Sequence, residues 1–440
     1  MFVAPSAYQL SGLATWLDYL EPGLAGLGWK VSVGLVQGPR HHLPHSYLER
    51  HPHSRWRAIE CATGTPEGRA RAIERAVAVV QPDVVASVNI PDAIVGTARA
   101  RRRMAVHPKI AMTLHGIQPD LYADVQRYAA WIDRALCTNR LACRLVRQRA
   151  GILEDRIGYA PCGVELGEPR RAPHEAGKLR IAFVGRLEQD QKRVGDLPEI
   201  ARQLGELCVP FELLIAGSGP EEQGLRQALK PAVDAGRARF LGFLTPQQLE
   251  AQVLSQVDVL LLTSAWETGP QVIWEAMANG VAVVSSRYVG SGLEGGLVHE
   301  GNTLLFAPGD CAAAAAQLRR VWTHQALRQQ LVEAGQALVQ TRYSIPVSVA
   351  HWSRELQATC ESEALPAAPP VPVGGASSRL DRLLGSLMAE TVREWMGKKG
   401  PDGGPGGEWP HAHSSLACDD PQFWAEAAAL DAPNQGAAPS

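Results

Sequence analysis

Val257-Asp258-Val259-Leu260-Leu261-Leu262-Thr263-Ser264-Ala265-Trp266-Glu267-Thr268-Gly269-Pro270-Gln271-Val272-Ile273-Trp274-Glu275-Ala276-Met277-Ala278-Asn279-Gly280-Val281 is the stretch that decides the fold. It opens on an apolar run, Val257–Leu262, short enough for a strand and apolar on both faces. After a polar turn comes a helix whose Val272, Ile273, Ala276 and Met277 face a core. Pro270 suits the first turn of that helix, where a missing N–H is no loss. At Gly280 the helix stops and a second apolar run, Val281–Ser285, begins. A strand, a helix and another strand buried on both faces make one unit of a parallel sheet covered on both sides.

Outward from this unit the pattern repeats. Val31–Val36, Val84–Val88, Ile110–Leu114, Ile181–Val184 and Phe211–Ala216 are further runs of the same kind, with helical stretches between them. In one such helix, Ala70 to Val80, the residues Ile73, Ala76, Val77 and Val80 share a face. A polar, proline-broken segment at Leu166–His174 separates two such series. The expectation is therefore an α/β chain of two Rossmann-like, doubly wound domains facing across a cleft, with residues 1–168 first and 169–345 second. Ligands in such sheets lie beyond the C-terminal strand ends. Residues 346–360 form a helix expected to pack back towards the first domain. Residues 361–440 are read as a tail, beginning with a Pro/Ala/Val/Gly linker from Leu365. An amphipathic helix over 379–396 follows, its stripe Leu380, Leu383, Leu384, Leu387 and Met388 expected to dock on the body. Gly397–Gly407 and the final Ala/Pro/Gln segment read as disordered.

Charge narrows the partners. The net charge of −2 argues against a nucleic-acid binder. Residues 1–178 hold 23 Lys/Arg against 16 Asp/Glu, a net +7, and the remainder 20 against 29, a net −9. The basic half, with Arg99, Arg101, Arg102, Arg103, His107 and Lys109, reads either as a solvated surface or as a contact for an anionic acceptor or membrane. The eight cysteines contain no CxxC pair and no companion histidine cluster. With no secretory leader and no long apolar run, the expected location is cytoplasmic, with peripheral contact at the inner face of the membrane.

Four places carry residues suited to chemistry. Glu267 precedes the helix after Val257–Leu262, and Glu275 lies inside it. Eight residues of helical rise span on the order of 10 Å, about the reach from a hexose to the ribose of a nucleotide-diphosphate sugar. Between the two acids the free N–H groups near Gly269 and Gln271 make a seat for phosphate. Two acids at a helix start are also favourable with the helix dipole alone, so the reading has a structural alternative. Second, Phe183-Val184-Gly185-Arg186-Leu187-Glu188-Gln189-Asp190-Gln191-Lys192 ends a strand. Arg186 can grip phosphate in a bidentate manner, and Lys192 adds a point charge. Third, the glycine turns at Gly217 and at Gly242-Phe243 allow a backbone to approach a ligand closely. Fourth, in the first domain, Gly12 opens a helix and His115 ends the strand Ile110–Leu114. A strand-end histidine is either structural or a donor of hydrogen bonds to a sugar.

In their order along the chain these elements resemble the family 4 retaining glycosyltransferases of GT-B fold (glycosyl transferases group 1 type), over roughly residues 8–355. The resemblance rests on Glu267 to Glu275 with the following Ala276-Met277-Ala278-Asn279-Gly280, on Gly185-Arg186-Leu187 with Lys192, and on Gly217-Ser218-Gly219-Pro220. His115-Gly116, Ala160-Pro161-Cys162-Gly163 and Glu300–Asp310 extend it. It implies a hexose moved from a nucleotide-diphosphate sugar, such as a UDP- or GDP-sugar, to a cell-envelope glycan, lipid-linked or small-molecule acceptor, with the anomeric configuration kept. It further implies that Arg186 and Lys192 hold the diphosphate, Glu275 the ribose and Glu267 the sugar, with Gly12 against the phosphates and His115 near the reacting carbon. His115, Glu267, Arg186 and Lys192 are the expected catalytic group. Gly12, Gly185, Gly217, Phe243, Gly269, Gln271 and Glu275 join Arg186, Lys192 and Glu267 as donor-binding residues. Ser11, Pro270 and Cys162 depart from the family pattern, as does a longer gap between Arg186 and Lys192. No Asp-x-Asp ends a strand, so neither a metal nor a separate cofactor is expected. An epimerase or phosphorylase on the same fold, or a non-catalytic nucleotide-sugar binder, are the competing readings.

Overall fold

The computed structural model describes residues 1–5, 12–37, 44, 48–49, 55–105, 107–167, 177–363, 365, 378–397, 413 and 420–432. Ser11, most of the 166–174 segment, most of the linker after Leu365, the glycine-rich stretch from residue 398 and the last eight residues lie outside them. The chain divides into two compact units, Met1–Pro161 with Val349–Glu426, and Cys162–Ser348 with Ala427–Ser440.

The first unit holds β1 (Phe2–Pro5), β2 (Val33–Val36), β3 (Trp56–Ile59), β4 (Val84–Val88), β5 (Lys109–Leu114), β6 (Arg134–Cys137) and β7 (Ile157–Tyr159). All pair in parallel, in the order β3-β2-β1-β4-β5-β6-β7. Its helices are α1 (Gly12–Gly26), α2 (Pro66–Val80), α3 (Pro91–Arg101), α4 (Pro119–Tyr128) and α5 (Arg140–Ala150). The caps explain the boundaries. Thr65 accepts from the Gly68 N–H at the start of α2, and Asn139 from the Leu141 N–H at the start of α5. Gly151, in the left-handed region, ends α5.

The second unit repeats the plan. Its strands β8 (Leu179–Val184), β9 (Phe211–Ala216), β10 (Ala238–Gly242), β11 (Val259–Leu262), β12 (Ala282–Ser286) and β13 (Leu304–Phe306) lie in the order β10-β9-β8-β11-β12-β13. All are parallel. Around them run α6 (Asp196–Glu206), α7 (Glu222–Ala228), α8 (Lys230–Asp234), α9 (Pro246–Leu249), α10 (Gln271–Ala278), α11 (Cys311–Thr323) and α12 (Gln325–Leu338). Alternate strand residues enter two separate cores. Ile181 and Phe183 join Leu197 and Leu318 on one side, while Ala182 and Leu260 join Ile273 and Trp274 on the other. Each face is thus sealed by helices, as the unbroken apolar runs require. The order reverses where β8 meets β11, which makes that pair the switch point of the sheet.

Four expectations change. Pro270 is not in the first turn but caps α10 from an extended conformation (φ −66°, ψ 103°), and its carbonyl accepts from the Ile273 N–H. The helix α13 (Ile345–Glu361) runs one residue past its expected end, and the division between the units falls inside it. The tail helix α14 (Arg379–Met396) forms, but with the other side inward. Asp381, Ala389, Glu390 and Arg393 are buried, whereas Leu383, Leu384, Leu387 and Met388 are exposed. The reason lies in the surface it meets. Thr65 donates to Glu390 at 2.6 Å and Thr63 bonds the other oxygen, while Arg71 donates to the Leu387 carbonyl and to Thr391. A polar docking surface selects the polar face, and Gly385, at φ 74°, interrupts the helix. Lastly, α15 (Pro421–Asp431) was not expected at all.

The basic cluster of the first unit is partly spent on internal pairs. Arg99 bonds Glu67 (2.8 Å), Arg101 bonds Asp133, Arg103 bonds Glu74 (3.0 Å), and Lys109 donates to the Ser362 carbonyl (2.7 Å). Among the described residues no helix is long and apolar enough to cross a membrane.

Candidate active site

At the switch point of the second unit, β8 runs into Gly185–Lys192 and β11 into Thr263–Glu267. The two strands are adjacent, with Ile181 opposite Val259. Their continuations are therefore brought together by the sheet itself. Lys192 Nζ meets Glu267 Oε1 at 2.5 Å. Gln191 Nε2 donates to the other Glu267 oxygen at 3.0 Å, and Arg186 Nη2 donates to Gln191 Oε1 at 2.9 Å. Three of the expected residues thus form one chain, Arg186–Gln191–Glu267–Lys192. Its middle is buried and its Arg186 end exposed.

Neighbouring groups hold the chain rigid. Both oxygens of Glu188 are used, one accepting from the Lys192 N–H (2.8 Å) and one from the Gln191 N–H (3.0 Å). Thr263 Oγ1 donates to the Lys192 carbonyl, and Ser264 Oγ donates to Glu267 Oε1 at 2.7 Å. The Ala265 N–H reaches the Gln191 carbonyl. Sequence reasoning missed Gln191, Glu188, Thr263 and Ser264. Gln191 stands inside the quoted Phe183–Lys192 stretch, but no spacing rule distinguishes a bridging glutamine from a surface one.

The helix α10 places Glu275 one turn inside its start. Its carboxyl is pushed up to about 7 by burial. Among the described residues no cation pairs with it to offset that burial. Nearer the helix start, the Gln271 Nε2 is buried and has no hydrogen-bond partner among the described residues. Gly269 sits in the left-handed region (φ 135°), a conformation that suits glycine. A desolvated acid and an orphaned amide donor on one short helix are costly unless something else binds there.

The glycine turns serve packing first. A Cβ on Gly217 (φ 137°) would lie 1.9 Å from the Gly185 carbonyl oxygen, and one on Gly219 would lie 2.3 Å from that of Leu187. The missing side chains therefore let the ends of β8 and β9 close on each other. A Cβ on Gly185 would make only ordinary contacts, with the Lys192 stem at 3.6 Å and the Phe183 ring at 3.9 Å. Phe243 follows Gly242 and is 42% exposed, an aromatic face in solvent beside the Gly217 turn.

Gly12 and His115 belong to the first unit. Gly12 opens α1. His115 follows β5, its N–H bound to Asn89 Oδ1 (3.2 Å) and its ring 4.4 Å from that of Trp16. Trp352, which sequence reasoning also missed, stacks parallel to it at 6.0 Å. Burial lowers the imidazole to about 3, so it is neutral at physiological pH.

The description "Glycosyl transferases group 1" fits a family model matched over residues 178–324, the very span that carries this cluster. Over those residues the chain is similar to the group 1 glycosyltransferases. The matched span includes Gly185, Arg186, Lys192, Glu267 and Glu275. The chain is 27% identical to the 2-deoxystreptamine glucosyltransferase of Streptomyces kanamyceticus, over 58% of this chain and 69% of that protein. Among solved structures it resembles the lipopolysaccharide outer core galactosyltransferase WaaB (TM-score 0.64, 18% identity, 81% of this chain and 98% of that one). It also resembles Anabaena HepE in complex with UDP (TM-score 0.66, 17% identity, 81% and 99%). At these identities the likeness shows the fold, which is that of GT-B glycosyltransferases. Among the described residues there is no group of His, Cys, Asp and Glu that could hold a metal ion.

Proposed function

We propose that the chain transfers a hexose from a nucleotide-diphosphate sugar to a hydroxyl acceptor with retention of the anomeric configuration. The observation that carries the proposal is the joined set Arg186–Gln191–Glu267–Lys192 at the switch point of the sheet. A buried acid paired with one cation, Lys192, and joined to a second, Arg186, through the Gln191 amide suits a ligand carrying both phosphate and sugar. In this reading Arg186 and Lys192 take the diphosphate, and Glu267 accepts from hydroxyls of the sugar. Glu275 accepts from the ribose hydroxyls, Gln271 and the amides after Gly269 meet the phosphates, and Phe243 lies under the base. UDP is the first nucleotide to try, because HepE binds it. Gly185 and Gly217 keep the strand ends close. His115 and Gly12 remain candidates of the first unit, to be tried by substitution.

The chemistry follows from charge. The bond between the anomeric carbon and the diphosphate oxygen breaks, and its electron pair leaves with the phosphate. Arg186 and Lys192 stabilise that growing charge more than they stabilise the bound donor. The acceptor oxygen attacks the same face of the oxocarbenium-like sugar, and its proton passes to the departing phosphate. A neutral His115 can donate or accept one hydrogen bond but adds no charge. Cation side chains take the role for which other transferases use a divalent ion. The acceptor class is a polyol, whether an aminocyclitol, a cell-envelope glycan or a lipid-linked sugar, with contact at a membrane surface in the last two cases.

The test is product analysis with a panel of UDP- and GDP-sugars against aminocyclitol and lipopolysaccharide-core acceptors. Transfer that keeps the anomeric configuration, and is lost in folded Lys192→Ala and Glu275→Ala proteins, supports the reading. Parental rates in both variants would reject the site. Free sugar or an epimer without transfer would reject the reaction.

A further inference from the structure

The C-terminal helix α15 ends in an acid that the group 1 reading does not use. Asp431 belongs to the second unit and is 7% exposed. Its Oδ2 accepts from the Gly290 N–H (2.7 Å) and the Gly292 N–H (3.0 Å), and its Oδ1 from the Leu293 N–H (2.9 Å). Three convergent backbone donors form a nest for an anion, and a side chain of this same chain fills it. The fit is close. A Cβ on Gly292 would lie 1.9 Å from the Asp431 carbonyl oxygen, and Gly290 has φ 110°. An acid at the last residue of a helix opposes the helix dipole, so the nest must outweigh that cost. Burial also raises the carboxyl, against the pull of the backbone N–H groups.

The nest is wired to the candidate site. Gly290 directly follows Val289, whose N–H donates to the Ala265 carbonyl (2.9 Å) and whose carbonyl accepts from the Glu267 N–H (3.0 Å). Trp266 and Val289 form a parallel bridge. Loop 290–293 therefore abuts the backbone that aims Glu267, and Asp431 fixes the conformation of that loop. The charge is felt nearby too, since Glu267 and Asp431 both push the buried Tyr288 hydroxyl upward, behind the effect of burial.

We propose that Asp431 is a positioning residue for Glu267: the carboxylate seated in the amide nest of residues 290–293 holds the Ala265–Glu267 segment where Glu267 grips the donor sugar. The inference rests on the reading of Glu267 given above. It assigns a role in donor recognition to the C-terminal segment, outside the matched family span. A residue that acts only through the sugar-binding acid changes affinity for the nucleotide sugar and leaves affinity for the nucleotide alone.

The experiment is calorimetric titration of the full chain and of Asp431→Ala with UDP and with UDP-glucose, with melting temperatures recorded alongside. The expected result is UDP affinity within about twofold of the parent and UDP-glucose affinity lower by about tenfold, the size of an ordinary coupling. Millimolar formate, small enough to enter the vacated nest, restores the lost UDP-glucose affinity in Asp431→Gly. Unchanged affinity for both ligands would overturn the proposal. Equal weakening of both, with a lowered melting temperature, would reduce Asp431 to a structural staple. Tighter UDP-glucose binding in the variant would make the tail an inhibitor instead. A parent protein that binds neither ligand defeats the donor reading itself, whereas a parent that binds both isolates the test to Asp431.

Discussion

Replacing Glu275 by glutamine changes one oxygen for one nitrogen and removes a charge that the fold does not welcome. The carboxyl sits at about 7 rather than 4.5, and burial is the sole cause. The displacement is about 2.5 pH units, and each unit corresponds to about 1.4 kcal/mol. The sign follows from proton uptake. Because the folded carboxyl is raised, the folded protein holds the proton more tightly than the unfolded chain between pH 4.5 and 7. Stability conferred by that protonated form is fully present below pH 4.5 and is lost as pH rises through 7. Above pH 7 the charged acid costs the native state about 3 kcal/mol; at pH 5 it costs about 1 kcal/mol. Glutamine carries no such cost at any pH. Urea unfolding at pH 5 and pH 8, followed by a signal from the second unit, therefore gives Glu275→Gln a stability gain that grows by about 2 kcal/mol between the two. The same variant binds UDP more weakly at pH 8 by about tenfold, because the ribose loses its anionic acceptor. Binding by the parent strengthens as pH rises through 7, where the acid ionises. A variant less stable than the parent at pH 8, or one whose gain is equal at both pH values, would refute the reasoning. Either would mean that Glu275 has a cation partner or is not desolvated.

Other substitutions test other parts. Gln191→Leu severs Arg186 from Glu267 and leaves a buried carboxylate oxygen short of a donor; kcat/KM with a competent donor should fall by about 10- to 100-fold, read by nucleotide diphosphate release. His115 stays neutral, so its NMR ring signals show no titration near pH 6.5 and begin to move only below about pH 4; an inflection at 6.5 would contradict its burial. Gly219→Ala drives a Cβ into the Leu187 carbonyl, 2.3 Å away, and should destabilise the second unit by about 1–3 kcal/mol in denaturant titration while UDP affinity changes little. Chelation with EDTA should leave transfer intact, since Arg186 and Lys192 supply the positive charge; a lost rate restored by added Mg²⁺ would show that they are not sufficient.

Much of this was legible before the fold was seen, and the limits have physical causes. Strands buried on both faces announce themselves: Val84–Val88 and Phe211–Ala216 stand where the apolar runs put them. Strands of three or four residues with a charge or glycine inside did not, namely Trp56–Ile59, Arg134–Cys137 and Ile157–Tyr159. Their pairing comes from neighbours already in the sheet, and no short-range pattern encodes that. The acids and cations of the site were readable because strand ends and helix starts are defined locally. Gln191, Ser264 and Glu188 were not, because their role arises only when β8 and β11 lie side by side. The tail misled through composition. The stripe of leucines in α14 looks like a docking face, yet the surface offered to it by Thr63, Thr65 and Arg71 is polar. Asp431 was invisible for the opposite reason, since a single acid near the end of the chain carries no pattern.

The central claim is that one nucleotide-sugar pocket is built by Arg186, Lys192, Glu267 and Glu275. A crystal structure of the full chain soaked with UDP tests it directly. The diphosphate is expected against Arg186 and Lys192, near the start of α10, with the ribose hydroxyls on Glu275. UDP bound with its diphosphate away from both cations, or with Glu275 untouched, would contradict it.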